Sequence, residues 1–318
     1  MQLGIKHGCS PAMLRNALFV VLIVICSGMF CCTPQQSEDT GVPRRIISLS
    51  PNVTEILFAI GLGDRVVGVT DVCKYPPEAR AKPHVGTFPM PNIEQIVMLK
   101  PDLIILLPSY GETIDKFESL GLRMLVVKND SIQDVLGSIR EIATVTGADE
   151  AGQVLTDEMA QQLERLREQR ELRPRRRVLF VVGKNPGTLQ QMYAVGPGTF
   201  LDEMLQAAGG TNILADAPSS YPIVSKEEII ARDPEVILDA SIGEKSSEEQ
   251  RRINLQLWNQ LQTVSAVKFQ RIHFIEDPQI TIPGPRIPEN INYLMRLIYK
   301  DAPEKLDYKP GEPRLHGD

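Results

Sequence analysis

Residues 93–105 read IEQIVMLKPDLII, and residues 226–238 read KEEIIARDPEVIL. The two stretches align without a gap, with Glu94 against Glu227 and Pro101 against Pro234. Each predicts a short helix that carries glutamate in its first turn, then a proline turn, then an apolar strand. A chain that contains this unit twice is predicted to form two similar α/β lobes.

The same alternation of strand and helix extends outward from both copies. Short apolar runs, each predicted as a strand, lie at Ile46–Leu49, Val66–Val69, Leu103–Leu107, Met124–Val127, Val178–Val182, Val236–Leu238 and Ile272–Ile275. Helices are predicted between them, one at Asn52–Ile60 with Ser50 as its N-cap and another at Leu255–Leu261. This alternation indicates βαβ units and largely parallel sheets covered on both faces.

One helical segment between the two copies is longer than the others. Beyond Gly152 it contains no Gly or Pro, and Leu155, Met159, Leu163 and Leu166 recur at helical spacing. At 1.5 Å per residue, about 22 residues span roughly 33 Å, which is enough to bridge two lobes. The predicted fold class is therefore α/β, with two Rossmann-like lobes joined by a single long α-helix and a ligand cleft between the lobes.

The predicted organisation has six parts. These are a leader at 1–32, a polar tether at 33–43, an N-terminal α/β lobe at 44–148, a linker helix at 149–173, a C-terminal α/β lobe at 174–300 and a polar tail at 301–318.

The leader has the features of an export signal. Lys6 and Arg15 precede the apolar run Ala17–Cys26, a pattern typical of a secretory signal peptide. A membrane-spanning helix needs about 20 residues, and this run is shorter. Cys31 and Cys32 follow it and are predicted lipidation sites, which indicates an exported, periplasmic lipoprotein held at a membrane by its lipid anchor.

Composition and motifs favour binding over catalysis. The 318 residues include 34 basic and 40 acidic side chains, a net charge of −6 that does not suit a nucleic-acid binder. The sequence contains no G-x-S-x-G elbow, P-loop or G-x-G-x-x-G motif, and its four histidines are too scattered to predict a metal site. We therefore predict no enzyme activity and no catalytic or metal-binding residues. A remote alternative is an exported α/β hydrolase that uses Ser48 or Ser50, although no base or acid partner can be identified.

Several stretches stand out together along the chain. They are RIISLSP at 45–51 with Thr54-Glu55, Val67-Gly68-Val69, Tyr75-Pro76-Pro77, Asn92–Ile96, GGTNI at 209–213, Val224–Glu228 and Pro285-Arg286-Ile287. This set resembles the class III periplasmic substrate-binding proteins of ABC importers, in particular their cobalamin-binding members. The resemblance runs from about Arg45 to Tyr299 and includes the order of the elements. It implies a monomer that clamps a tetrapyrrole-type ligand between its lobes and carries no cofactor of its own.

The resemblance also implies ligand-binding residues. Phe88 and Tyr221 fall where cobalamin-binding members carry tryptophans, and Val72 falls where they carry a tyrosine. Pro89 and Met90 follow Phe88 in the same loop and are predicted to add apolar contacts. A corrinoid is the expected transported ligand, with haem or a ferric siderophore as the alternative. Haem-binding relatives have a tyrosine where this chain has Thr87, which argues against iron ligation from that position.

The paired glutamates have two interpretations. The resemblance implies that Glu94 and Glu227 lie at the tips of the two lobes and contact arginines on the permease dimer of an ABC importer. It also implies that this permease dimer works with ATPase subunits. The residues alone also fit a local role, because glutamate in a first helical turn is stabilised by the helix dipole.

Overall fold

The computed structural model describes residues 41–241 and 247–300. The leader, the tail, most of the tether, and the predicted lipidation sites Cys31 and Cys32 lie outside the described residues. Within those residues, no helix combines the length and apolar character required to cross a bilayer.

The N-terminal lobe is built on one parallel sheet. Its strands run in the order β2-β1-β3-β4. The elements in chain order are β1 (Ile46–Ser48), α1 (Pro51–Ala59), β2 (Val66–Val69), α2 (Ile93–Met98), β3 (Leu103–Leu106), α3 (Glu112–Ser119), β4 (Met124–Val126) and α4 (Ile132–Thr146). Every residue of β3 is buried, as expected for a central strand that is covered on both faces.

A single helix, α5 (Asp149–Glu171), leads from this lobe to the next. It packs closely on α4, since a Cβ atom added at Gly152 would lie 2.3 Å from the Cβ atom of Ala143. Its buried residues Met159 and Leu166 belong to an apolar core that also includes residues of both sheets. The lobes are therefore joined by continuous packing as well as by the chain.

The C-terminal lobe has a mixed sheet. Its strands run in the order β10-β9-β5-β6-β8, and β7 pairs with β5. The elements are β5 (Arg176–Gly183), β6 (Met192–Ala194), α6 (Phe200–Ala207), β7 (Gly210–Asn212), β8 (Ile223–Val224), α7 (Lys226–Arg232), β9 (Val236–Asp239), α8 (Glu248–Trp258), α9 (Ser265–Lys268), β10 (Ile272–Phe274) and α10 (Ile287–Ile298). The predicted fold class, two α/β lobes joined by a long helix, is confirmed, and the exact lobe boundaries stay predictions.

The structure adds detail to two local expectations and corrects the bounds of one helix. The sheets are largely parallel, as expected, but β6 forms antiparallel pairs with β5 and with the edge strand β8, which were not predicted. The helix expected at Leu255–Leu261 is α8, which begins earlier because Ser247 and Gln250 form a capping box. Ser50 is the N-cap of α1, as expected, although its hydroxyl donates to the Asn52 side chain and accepts no helix N–H.

The repeated sequence unit adopts the same structure in both lobes. Ile46 of β1 pairs with Leu103 of β3, and Val178 of β5 pairs with Val236 of β9. The turn between helix and strand is left-handed in both copies, with φ of 46° at Lys100 and 41° at Asp233.

Matching hydrogen bonds from a backbone N–H to a carboxylate hold the two turns. The Arg45 N–H donates to Asp102 at 2.9 Å, and the Arg177 N–H donates to Glu235 at 2.9 Å. The similarity between the lobes therefore extends to individual hydrogen bonds.

Candidate functional site

The two lobes face each other through the carboxyl edges of their sheets. In a parallel α/β unit the helix that follows a strand begins at the carboxyl edge of the sheet. The N–H of Ile132, at the start of α4, donates to the Glu203 carboxylate in the first turn of α6 at 2.7 Å. Glu55 of α1 and Arg286, the N-cap of α10, form an ion pair between the lobes. Since α1 and α10 follow parallel strands, the Glu55–Arg286 pair places the candidate cleft between the carboxyl edges, where open α/β sheets bind ligands. Helix α6 follows the antiparallel strand β6, so its bond to Ile132 shows only that the two lobes are in contact.

The Glu55–Arg286 pair is bidentate and largely buried. Arg286 donates from Nε to Glu55 Oε2 at 2.9 Å and from Nη2 to Oε1 at 2.6 Å, and their side chains are 18% and 3% exposed. The guanidinium also lies 4.3 Å from the centre of the Tyr75 ring.

Burial and charge act against each other in this pair. Burial raises the pKa of Glu55, and the hydrogen bond from Arg286 opposes that rise. Burial alone would lower the pKa of Arg286, but its bond to the carboxylate raises that pKa above the ordinary value. Both residues occur in the motifs of the resemblance, yet sequence reasoning did not predict that they pair.

On the N-terminal side, an exposed loop carries the predicted apolar contacts. Phe88 is 38% exposed and packs edge-on against Tyr110, with ring centres 5.3 Å apart. The loop turns at Gly86, where φ is 93° and an added Cβ would lie 2.8 Å from the Asn92 nitrogen, so a side chain there would clash with the loop. Pro89 and Met90 are also exposed.

Val72 and Tyr110 complete this side. Val72 is 40% exposed and follows β2 at the carboxyl edge of the sheet. Tyr110 follows β3 in the chain and is buried, and its hydroxyl donates a hydrogen bond to the carbonyl oxygen of Leu49. Burial raises the pKa of Tyr110 above its ordinary value, so its hydroxyl stays protonated and fixes the ring beneath Phe88. Sequence reasoning missed Tyr110, although its position directly after a central strand is a usable signal.

On the C-terminal side, Tyr221 lies just before β8 and is 43% exposed. Burial, and secondly the negative charge of Asp130 in the other lobe, raise the pKa of its phenol. Tyr193 and Ile223 pair across β6 and β8 and are 45% and 53% exposed. Sequence reasoning missed both, because it did not predict these antiparallel strands.

The chemistry of the described residues suits binding. The Ser48 hydroxyl interacts with the Ser50 carbonyl and Thr54, and the Ser50 hydroxyl donates to Asn52, so neither bonds to a histidine as a triad would require. His84 Nδ1 lies 2.9 Å from Asp71 Oδ1, near the carboxyl edge of the N-terminal sheet. In the part of the chain that the structure describes, no group of three or more His, Cys, Asp or Glu side chains could hold a metal ion.

Glu94 and Glu227 occupy equivalent places. Each is the second residue of its helix, α2 or α7, and each is exposed. Asn92 and Ser225 are the N-caps of the two helices, and each side chain accepts a backbone N–H at 3.1 Å. Both helices precede a parallel strand, so both glutamates lie at the carboxyl-edge level of their lobes. The pKa of Glu227 is lowered by its own backbone N–H and by Ser225.

A second opening lies beside the linker helix. It is a cavity of about 430 Å³ whose lining includes Glu55, Tyr75, Met159, Arg286 and Glu289. Burial raises the pKa of Glu289 above its ordinary value. None of the predicted ligand-binding residues lines this cavity.

Comparison with known proteins gives a consistent result. A family model described as "Periplasmic binding protein" matches residues 46–278. The vitamin B12-binding protein of Vibrio cholerae serotype O1 is 29% identical over 272 residues, covering 85% of this chain and 94% of that protein. YvrC of Bacillus subtilis, named as an ABC transporter substrate-binding lipoprotein, is 30% identical over 268 residues, covering 82% of this chain and 81% of that protein.

Solved structures show the same architecture. The periplasmic vitamin B12-binding protein BtuF of Vibrio cholerae superposes with a TM-score of 0.70 and 28% identity, covering 80% of this chain and 96% of that one. The periplasmic heme-binding protein RhuT of Roseiflexus superposes with a TM-score of 0.69 and 26% identity, covering 80% and 98%.

Proposed function

The chain belongs to the periplasmic binding protein family, and we propose that it captures a corrinoid outside the inner membrane and delivers it to an ABC importer. Membership of the family makes it an exported substrate-binding protein of such an importer and not an enzyme. The ligand, the docking residues and the lipid anchor are proposals.

The observation that carries the corrinoid proposal is the pair of aromatic side chains on opposite lobes. Phe88 lies in an exposed loop of the N-terminal lobe and Tyr221 lies just before β8 in the C-terminal lobe, and the two side chains are 38% and 43% exposed. Large flat ligands are held well by aromatic faces, because these cover much apolar area and lose little side-chain entropy on binding. The similarity to vitamin B12-binding proteins along almost their whole length supports the same ligand class.

Clamping needs only a small motion. The linker helix shares its core with both lobes, and a continuous helix resists bending. The ligand is therefore held by a nearly preformed cleft, and release follows when the permease engages both lobes.

The ligand is tested by titrating the purified protein with cyanocobalamin in a calorimeter. We expect saturable binding with one site per chain. Parallel titrations with dicyanocobinamide, haem and a ferric siderophore separate the alternatives, since haem binding would shift the Soret band. Binding of haem or a ferric siderophore in place of every corrinoid would replace the proposal, and no binding of any corrinoid would refute it.

Haem is the second candidate because a heme-binding protein is among the similar structures. Thr87 stands where haem-binding relatives carry a tyrosine, so this chain lacks that iron ligand. A Soret spectrum typical of tyrosinate-ligated iron would contradict this argument.

For docking, we propose that Glu94 and Glu227 each meet an arginine of the permease dimer. Both carboxylates are exposed, and each lies in the copy of the repeated unit carried by its own lobe. Two similar acids on two similar lobes suit a partner with two-fold symmetry.

For localisation, we propose that Cys31 or Cys32 is acylated and holds the protein at a membrane. The lipoprotein name of YvrC supports this anchor. Labelling with a radioactive fatty acid tests it: the wild type should be labelled and a Cys31→Ser/Cys32→Ser variant should not. Labelling that survives the double substitution would refute the assignment.

A further inference from the structure

The exposed face of each docking helix carries more than a glutamate. One turn after Glu94 lies Val97, which is 45% exposed, and one turn after Glu227 lies Ile230, which is 44% exposed. Residues three apart on a helix are neighbours on one face. Each lobe therefore presents a carboxylate beside an aliphatic side chain of nearly the same exposure.

The next position extends both faces in the same way. Met98 is 79% exposed, and its counterpart Ala231 is also exposed. The inward faces match as well, since Ile96 and Ile229 are both fully buried. Equivalent positions of the two helices are therefore buried or exposed in the same way: one isoleucine lies in the core, and two apolar side chains are exposed to solvent.

We propose that the permease contacts each lobe through a two-part patch, a carboxylate and the aliphatic residues one turn further along the helix. The patches are Glu94 with Val97 and Met98 in the N-terminal lobe, and Glu227 with Ile230 and Ala231 in the C-terminal lobe. This inference rests on the proposed docking role of the glutamates and adds the apolar half of the contact.

Symmetry and charge identify the partner. A two-fold axis gives the partner two identical sites, and one chain fills both only if its lobes carry the same pattern of side chains. The matching partner surface has a cationic side chain next to an apolar depression, once on each side of its axis. The acid guides association, which salt weakens, whereas the aliphatic contact is insensitive to salt.

The test measures binding of the labelled full-length protein to membrane vesicles of the source bacterium from which its own copy of this gene is deleted. Binding is compared at low and high salt for the wild type, for Val97→Ser/Ile230→Ser and for Glu94→Gln/Glu227→Gln. We expect the aliphatic variant to bind at least tenfold more weakly at both salt concentrations. The glutamine variant should lose mainly the salt-dependent part of the affinity.

Val154→Ser is the matched control. Val154 is 52% exposed on the linker helix, outside both patches, so this variant should bind like the wild type. Thermal melting and ligand titration establish that the variants are folded.

The outcomes separate the two proposals. If the aliphatic variant binds like the control while the glutamine variant is impaired, docking stands and the apolar contact is refuted. If the glutamine variant also binds like the wild type at low salt, the proposed docking itself is refuted.

Discussion

The two lobes are alike at one place and different at another. The helix–turn–strand units α2–β3 and α7–β9 match down to their left-handed turns and hydrogen bonds. The edges of the sheets do not match, because the N-terminal lobe presents the loop of Phe88 whereas the C-terminal lobe presents the antiparallel strands beside Tyr221.

This difference indicates that the repeated units and the unlike edges have separate functions. A surface that must fit a symmetric partner has to be repeated, whereas a surface that surrounds an asymmetric ligand does not. We therefore assign docking to the repeated units and ligand choice to the unlike edges. The predictions below test this division, beginning with the contact that holds the two lobes together.

The largest effect is expected at the Glu55–Arg286 pair. Glu55→Leu leaves the Arg286 charge buried without its partner, which costs about 3–5 kcal/mol of unfolding free energy. Denaturant unfolding should show this loss. Glu55→Leu/Arg286→Met should recover most of the stability, because the uncompensated charge is gone. A Glu55→Leu variant as stable as the wild type would mean that the pair does not hold the lobes together.

Charge reversal of both docking glutamates should abolish transport without changing ligand affinity. We expect Glu94→Lys/Glu227→Lys to lower uptake at least about 100-fold, since each lysine repels a cationic partner site. Uptake and calorimetric titration measure the two properties separately. Glu150→Lys is the control, because Glu150 is also exposed at the second position of its helix. A parallel loss of ligand affinity would break the division between docking and binding surfaces.

Truncating the aromatic side chains should weaken ligand binding, in contrast to the substitutions of the docking glutamates. Phe88→Ala and Tyr221→Ala should each weaken corrinoid binding about tenfold, which corresponds to about 1.4 kcal/mol of lost contact. Tyr221→Phe keeps the ring and should retain most of the affinity. Phe269→Ala serves as the control because Phe269 is 57% exposed beyond α9 and is not a predicted ligand contact. Unchanged titration curves for both alanine variants would place the ligand elsewhere.

Acid should affect the lobes unequally. His273 in β10 is buried, and its pKa is lowered to about 4, first by burial and then by the charges of Lys300 and Arg176. Because the folded-state pKa lies below the ordinary value of about 6.5, neutral His273 contributes stability above pH 6.5 that is lost as the pH falls towards 4. At pH 5.5 the loss is about 1 kcal/mol.

Hydrogen exchange at pH 7 and pH 5.5 measures this difference. The strands β1 to β4 carry no ionisable side chain, so exchange in the C-terminal sheet should accelerate more than exchange in the N-terminal sheet once the intrinsic pH effect is removed. His273→Leu should remove the excess. Equal acid sensitivity in the wild type and His273→Leu would contradict the assignment to this histidine.

Much of the fold could be predicted because its signals are local. Apart from β7, whose residues Gly210–Asn212 are not apolar and which was not predicted, the parallel strands are short apolar runs. The repeated unit includes its own helix start and turn. The antiparallel strands β6 and β8 were missed because no helix separates β6 from β5 and β8 has only two residues, so neither fits the alternation of strand and helix. Helix α8 was misplaced because few of its residues are apolar, although its Ser247–Gln250 capping box was readable.

The site was predictable only in part. Phe88 and Tyr221 were predicted from the family resemblance. The paired glutamates were predicted from the repeated unit together with that resemblance. The Glu55–Arg286 bond joins residues 231 positions apart, and a single sequence contains no signal for such a pairing. Tyr110 acts through its contact with Phe88, which becomes visible only when β3 and the loop lie side by side.

A crystal structure of the protein with cyanocobalamin, recorded at the cobalt absorption edge, would locate the bound corrinoid relative to the two lobes. We expect one anomalous peak per chain between the two lobes, with the corrin ring beside Phe88 and Tyr221. A cobalt peak in the cavity beside the linker helix, or on the outer face of one lobe, would contradict this expectation.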